Sequence, residues 1–174
     1  MVELVGKLGE KKLIYYCVDE WSEFSFIDRE SIRDMERRLI EQSDLVLTTA
    51  EKLYDDKKKH NPNTHLIRHG VDFDHFSRAL DPALEEPEDI RSLARPRIGF
   101  YRLIHEWIDL RTIESLAKAH PEWSIVMIGK LSSDATFLKP YSNVHFLGQK
   151  HYETLPGYCK GFDVGIIPFV VAVS

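Results

Sequence analysis

The chain has two cysteines in 174 residues, Cys17 and Cys159. They lie far apart and in no metal-ligand spacing, which fits a reduced, cytoplasmic setting better than a disulfide scaffold. Cys17 sits inside the apolar run 13–18 and reads as a small buried hydrophobe rather than a nucleophile. Residues 1–12 carry Glu3, Lys7, Glu10, Lys11 and Lys12, so the start lacks the apolar stretch of a signal peptide. No apolar run approaches the ~20 residues of a membrane span. Positive charge is not in excess: 23 Lys and Arg face 28 Asp and Glu, a formal net charge of -5. That balance argues against a nucleic-acid partner, which would call for a basic face. The one basic run, Lys57-Lys58-Lys59, follows Asp55 and Asp56 and reads as a solvated helix end. Neither a P-loop nor a G-x-G-x-x-G is present. Eight histidines include His65, His69 and His75 close to Asp72. Gly70 interrupts that group, and no single helix would align it, so no metal site is expected.

Hydrophobic residues make up 43% and charged residues 29%, enough apolar material for a packed core. Strand-like and helix-like segments alternate. Leu13 to Val18 is a continuous apolar run, as in a parallel strand buried on both faces. Asp28 can cap a helix to about Gln42, with Ile32, Met35, Leu39 and Ile40 as its apolar stripe. Leu45 to Thr48 reads as a strand, about Ala50 to Lys59 as a helix, and His65 to Arg68 as a short strand. From Asp74 to Arg95 the composition turns acidic and Pro-containing, the mark of a linker. A second α/β register follows. Arg97–Tyr101, Trp123–Ile128, Asn143–Leu147 and Asp163–Ile167 read as strands. Helices are expected from Asp109 to about His120 and from Pro156 to about Lys160. The pattern predicts an α/β fold of parallel-sheet, Rossmann-like βα units, arranged as two similar halves or as one seven-stranded sheet.

Ligands of open parallel sheets bind at the carboxyl ends of strands. Three loops qualify in the second half. They carry Arg102 and His105, then Lys130, then Gln149 and Lys150. A nucleotide diphosphate would need such cations, although spacing alone, without a P-loop or a G-x-G-x-x-G, favours ordinary solvated loop residues. In the first half, Asp19 and Glu20 form a carboxylate pair beside Trp21. That combination suits acid–base work or a sugar site; a surface loop with Trp21 folded onto the core fits as well.

Four strings then carry a resemblance. "LIRHGVDFDHF" (residues 66–76) resembles the N/H-G-V-D-x-x-x-F segment that enters the interdomain linker of many GT-B type glycosyltransferases. "LIYYCVDEWSEF" resembles the acceptor-side strand and loop of the nucleotide-sugar-dependent branch that builds bacterial cell-surface polysaccharides. "RIGFYRLIHEWIDLRTIESLAKAHPEWSIVMIGK" and "NVHFLGQKHYETLPGYCKGFDVGIIPF" resemble two stretches of its donor-binding half. The resemblance covers nearly the whole chain, in order.

It implies a glycosyltransferase moving a sugar from a UDP- or GDP-type donor to a polysaccharide or glycolipid acceptor, with no cofactor and no tightly held metal. Residues 1–73 would belong to the acceptor-side half, 74–95 to the linker and 96–174 to the donor-binding half. Arg102 and Leu103 fall where relatives place a glycine-led phosphate loop, with His105 on the same loop. Gly129 and Lys130 border the diphosphate, and Leu147, Gly148 and Gln149 meet the base through backbone. Asp19, with Glu20 beside it, falls near a position that carries a catalytic histidine in better-known relatives. Relatives also have strands before Leu13 and a paired-glutamate motif beyond Val173-Ser174. The chain is therefore expected to be truncated at both ends and inactive alone. Further expectations are a homodimer through exposed sheet surface and peripheral membrane association of the longer protein. The alternatives are a non-catalytic nucleotide-binding or assembly module, in which Arg102 has displaced the working glycine, and a truncated product with no function of its own.

Overall fold

A computed structural model describes residues 2–24 and 27–170; the chain end at Val173-Ser174, where the expected truncation falls, lies outside them. The chain divides into two compact units after Val71. Each is built on its own parallel sheet, which settles the choice between two sheets and one.

The first unit holds strands β1 (Ile14–Cys17), β2 (Leu45–Thr48) and β3 (Thr64–Leu66), in the order β1-β2-β3. Helix α1 (Arg29–Gln42) links β1 to β2, and α2 (Glu51–Lys57) links β2 to β3. Asp28 stands at the start of α1 and accepts from the Ser31 hydroxyl. The far end of α1 is closed by Asn61, whose amide donates to the carbonyls of Ile40 at 2.9 Å and Ser43 at 2.7 Å. These bonds satisfy carbonyls that a helix end leaves open. Cys17, Val46, Thr48 and Thr64 are buried. Successive strand side chains alternate between faces, so Ile14 and Tyr16 lie on the other face, 57% and 50% exposed. The expected stripe of α1 is realised only in part. Ile40 is buried, but its companion one turn back is Glu36, while Met35 stays exposed.

The second unit opens with α3 (Phe73–Ser77) and α4 (Glu88–Arg91). Strands β4 (Arg97–Tyr101), β5 (Ser124–Ile128), β6 (Val144–Gly148) and β7 (Val164–Gly165) follow, with α5 (Leu110–Ala119) and α6 (Leu155–Lys160) between them. All pairings are parallel, in the order β6-β5-β4-β7. β5 is buried throughout. Its Ile125 and Met127 join Phe100 and Ile113 of α5 in one core; its Val126 and Ile128 join Ile90 and Tyr158 in another. Asp109 starts α5 by accepting from the amides of Arg111 at 3.0 Å and Thr112 at 3.1 Å.

The acidic stretch from Asp74 to Arg95 packs within this second unit. Ile90 is wholly buried, and the guanidinium of buried Arg97 donates to the carbonyls of Arg91 and Leu93 at 2.8 Å each. Lys160 Nζ bonds the carbonyls of Asp81, Pro82 and Leu84 at 2.6–3.0 Å. Polar composition here reflects a segment held by backbone acceptors rather than by an apolar stripe. Among the described residues no helix is long and apolar enough to cross a membrane.

Candidate functional site

The strand order reverses at β4: β5 and β6 lie to one side, β7 to the other. A reversal of this kind leaves a crevice outside the carboxyl ends of the two strands that flank it. The loop leaving β4 is fixed along both flanks of that crevice. The amide of Arg102 donates to Ile128 O and that of Ile104 to Lys130 O, each at 2.9 Å. On the other flank Asp109 N donates to Pro168 O at 2.7 Å and Val170 N to Trp107 O at 2.9 Å. The β6 end joins through Gly129 N, 2.9 Å from Gly148 O. Arg102, Gly129, Lys130 and Gly148 are thereby brought to one edge of the sheet.

Gly129 has a φ of +140, a conformation that L side chains rarely adopt. Gly148, at φ +70, turns the chain out of β6 with open space where a side chain would start. Leu147 is partly buried and packs against the core formed by Ile90, Val126, Ile128 and Tyr158. Gln149 is exposed. The side chains of Arg102 and Lys130 are exposed and make no ion pair or hydrogen bond among the described residues. Lys150, in contrast, is committed to Asp89 at 2.6 Å. The amides of Arg102, Ile104 and Gly129 already serve the fold, so an incoming phosphate would meet side-chain cations there. His105 stacks on Trp107 with ring centroids 4.2 Å apart, and its Nδ1 is buried without a hydrogen-bond partner. An orphaned buried nitrogen is uncommon and costly.

In the first unit, the loop leaving β1 separates the two neighbouring carboxylates. Asp19 is exposed. Glu20 is drawn inward, accepting from Lys57 Nζ at 2.7 Å and from the Ser22 hydroxyl at 2.7 Å. Partial burial pushes its pKa up, but the hydrogen bonds from Lys57 and Ser22 outweigh this and hold it below the usual carboxylate value. Trp21 is partly exposed and packs its ring against Phe24.

Lys57 is not the solvated helix end expected from its run of three lysines. It is 3% exposed and also bonds Glu36 at 3.0 Å and Asp56 at 3.3 Å. Glu36 in turn accepts from the Tyr15 hydroxyl at 2.7 Å and lies 3.6 Å from Cys17 Sγ. Burial is the main reason that the Cys17 thiol is pushed up to about 12, with the Glu36 charge adding to it. The network borders a cleft of about 420 Å³ that also has Arg33, Arg37 and His60 in its wall. Sequence reasoning missed this group. Its signal was present in the spacing: Glu36 lies four residues before buried Ile40, and Lys57 four residues after buried Leu53.

Among the described residues no cluster of three or more His, Cys, Asp or Glu side chains is placed to hold a metal ion. His75, from the histidine group, instead stacks on Tyr152.

The chain is similar to Anabaena Alr3699/HepE, solved in complex with UDP and glucose (TM-score 0.61, 16% identity) and with UDP-glucose (TM-score 0.62, 16% identity). A third structure of that protein, with UDP, gives a TM-score of 0.58 at 15% identity. The likeness shows the fold. Each match covers 87% of this chain but 45% of the other, so the chain spans less than half the length of the structures it resembles. No protein-family model matches the chain, and no curated protein matches it.

Proposed function

We propose that the chain is part of a GT-B type glycosyltransferase, and that its second unit binds the nucleotide diphosphate of a UDP- or GDP-sugar. The observation that carries the reading is the reversal of strand order at β4, with Arg102, Gly129, Lys130 and Gly148 gathered at the carboxyl edge beside it. The similarity to a protein solved with UDP and with UDP-glucose supports it. In this reading residues 1–73 are acceptor-side, 96–174 are donor-side, and 74–95 join them.

The chemistry follows from what the side chains offer. Breaking the sugar–phosphate bond leaves its electron pair on the leaving oxygen and so adds one further negative charge to the diphosphate, a second one on its terminal phosphate. Cations held where that charge develops lower the barrier. Arg102 and Lys130 supply such charge from the ends of two adjacent strands, and Arg102 stands in for the amides of a glycine-led loop. Gly148, with open space where a side chain would start, and exposed Gln149 leave room for a flat base, with Leu147 anchoring that strand end from beneath. His105 gives the β4 loop a further donor or acceptor. Asp19, exposed beside Trp21, is the carboxylate free to meet an acceptor hydroxyl; Glu20 and Lys57 fix the loop that presents it. The acceptor is proposed as a polysaccharide or glycolipid.

A second reading, a nucleotide-binding module without transfer activity, draws on one observation: Glu20 is tied to Lys57 and cannot serve as a free base. Transfer assays on a longer chain decide between the two. Sugar transfer that is lost in Asp19→Asn supports the enzyme. Nucleotide binding without transfer, in an otherwise complete protein, supports the module.

A further inference from the structure

Residues 72–77 open the second unit and touch Tyr101, the last residue of β4, and Tyr152, at the end of the loop that follows β6. The rings of His75 and Tyr152 are stacked 4.2 Å apart, with 10° between their planes. His75 Nε2 lies 2.9 Å from the carbonyl oxygen of Tyr152, a contact that requires the imidazole proton on that nitrogen. The Tyr152 hydroxyl donates to Asp72 at 3.3 Å, and the other Asp72 oxygen accepts the amide of His75 at 3.1 Å. Phe76 meets Tyr152 edge-on at 5.8 Å and stacks on Tyr101 at 5.9 Å. Tyr101 immediately precedes Arg102, and Tyr152 ends the loop that begins at Gly148.

The bland account is aromatic glue that fastens α3 to the sheet. Two features exceed it. Glue belongs in the core, yet Tyr101 and Tyr152 are 40% and 47% exposed, at the rim. The His75 and Asp72 contacts are also directional: they fix a backbone carbonyl and a hydroxyl on one loop, which hydrophobic packing does not require.

We infer that Asp72, His75 and Phe76 are positioning residues for the bound nucleotide, clasping the end of β4, where its loop begins, and the β6 loop at one separation. The inference rests on the proposed nucleotide site. A nucleotide spanning both loops then gains from the clasp, and by linkage it must steady residues 72–77 by the same factor.

The test is amide hydrogen exchange over residues 72–77, with and without UDP or GDP, together with nucleotide titrations of wild type, His75→Ala, His75→Gln and Tyr152→Phe. Nucleotide is expected to slow exchange in 72–77 of the wild type. His75→Ala should weaken binding about fivefold or more, within the usual span of coupling between sites. Gln can still donate to the Tyr152 carbonyl, so His75→Gln should recover part of the loss. Tyr152→Phe removes only the hydroxyl, keeps the stack, and should weaken binding about twofold; it carries the test if His75→Ala does not fold. Nucleotide binding by the wild type without slower exchange in 72–77, or with unchanged affinity in both His75→Ala and Tyr152→Phe, overturns the clasp and leaves the site standing. A wild-type chain that binds neither nucleotide overturns both.

Discussion

A β-carbon on Gly129 would stand 1.9 Å from the carbonyl oxygen of Arg102. The two strand ends meet there because the loop after β4 bonds directly to the end of β5, and only a residue without a side chain permits the approach. The backbone conformation alone would cost a substituted residue about 1–3 kcal/mol, and the contact with Arg102 adds to that. We predict that Gly129→Ala lowers the urea midpoint clearly and weakens nucleotide binding. Gly148→Ala meets open space, and should cost only the ~1–2 kcal/mol of a left-handed residue. Equal losses in the two variants would contradict this assignment.

The buried Lys57 is matched to Glu36 across two helices. Removing one partner strands a charge, which typically costs about 3–5 kcal/mol. Lys57→Met should therefore be strongly destabilising, and Lys57→Met with Glu36→Leu should regain much of the loss. Unfolding curves of the single and double variants measure this coupling. Additive losses would show that the pair is not coupled. The lowered pKa of Glu20 has a sign that can be checked. Its contribution is complete above the unfolded carboxylate value, ~4.3, and disappears as the pH falls through the folded value. Glu20→Gln should flatten the acid limb of the stability profile.

Cys17 is wholly buried and its thiol is pushed up to about 12, so it should resist alkylation in the native protein. The more accessible Cys159, also raised by burial, should react first, and Cys17 only on unfolding. A thiol raised in the folded state keeps its proton after the unfolded chain has lost it, so stability should fall as the pH rises from the unfolded thiol value, ~8.5, toward 12. Mass spectrometry after brief alkylation checks the order of reaction. Rapid native labelling of Cys17 would contradict its placement.

Ile14 and Tyr16 lie exposed on an edge strand, a surface that invites self-association. Sedimentation should show a dimer that Tyr16→Lys reduces to monomer. A wild-type chain that stays monomeric at every concentration removes the expected homodimer.

Legibility in the sequence tracked the depth of burial. The apolar run ending at Ile128 announced β5 because both its faces are covered, and Asp109 announced α5 because its capping bonds are local. β7 was expected from Asp163 to Ile167 and is confined to Val164–Gly165, in register with Ile98 and Gly99 of β4. β3 was expected to start at His65 and starts at Thr64. Lys57 was misread because its partners Glu20 and Glu36 lie 37 and 21 residues away, and a run of three lysines hides the one that turns inward. The stretch 74–95 hid its packing similarly, since one buried Ile90 and a set of carbonyls bonded by Arg97 and Lys160 leave no periodic signal. At the candidate site, residue types could be read from the chain. The gathering of Arg102, Gly129, Lys130 and Gly148 depends on strand order, which composition does not encode.

The most direct test of the central claim is a calorimetric titration of the chain with UDP and GDP, repeated with Arg102→Gly and Lys130→Ala. The account predicts saturable binding of one of the two nucleotides, weakened by salt and by either substitution, because exposed cations rather than backbone amides hold the diphosphate. No binding of either nucleotide, or tighter binding by Arg102→Gly, would contradict it.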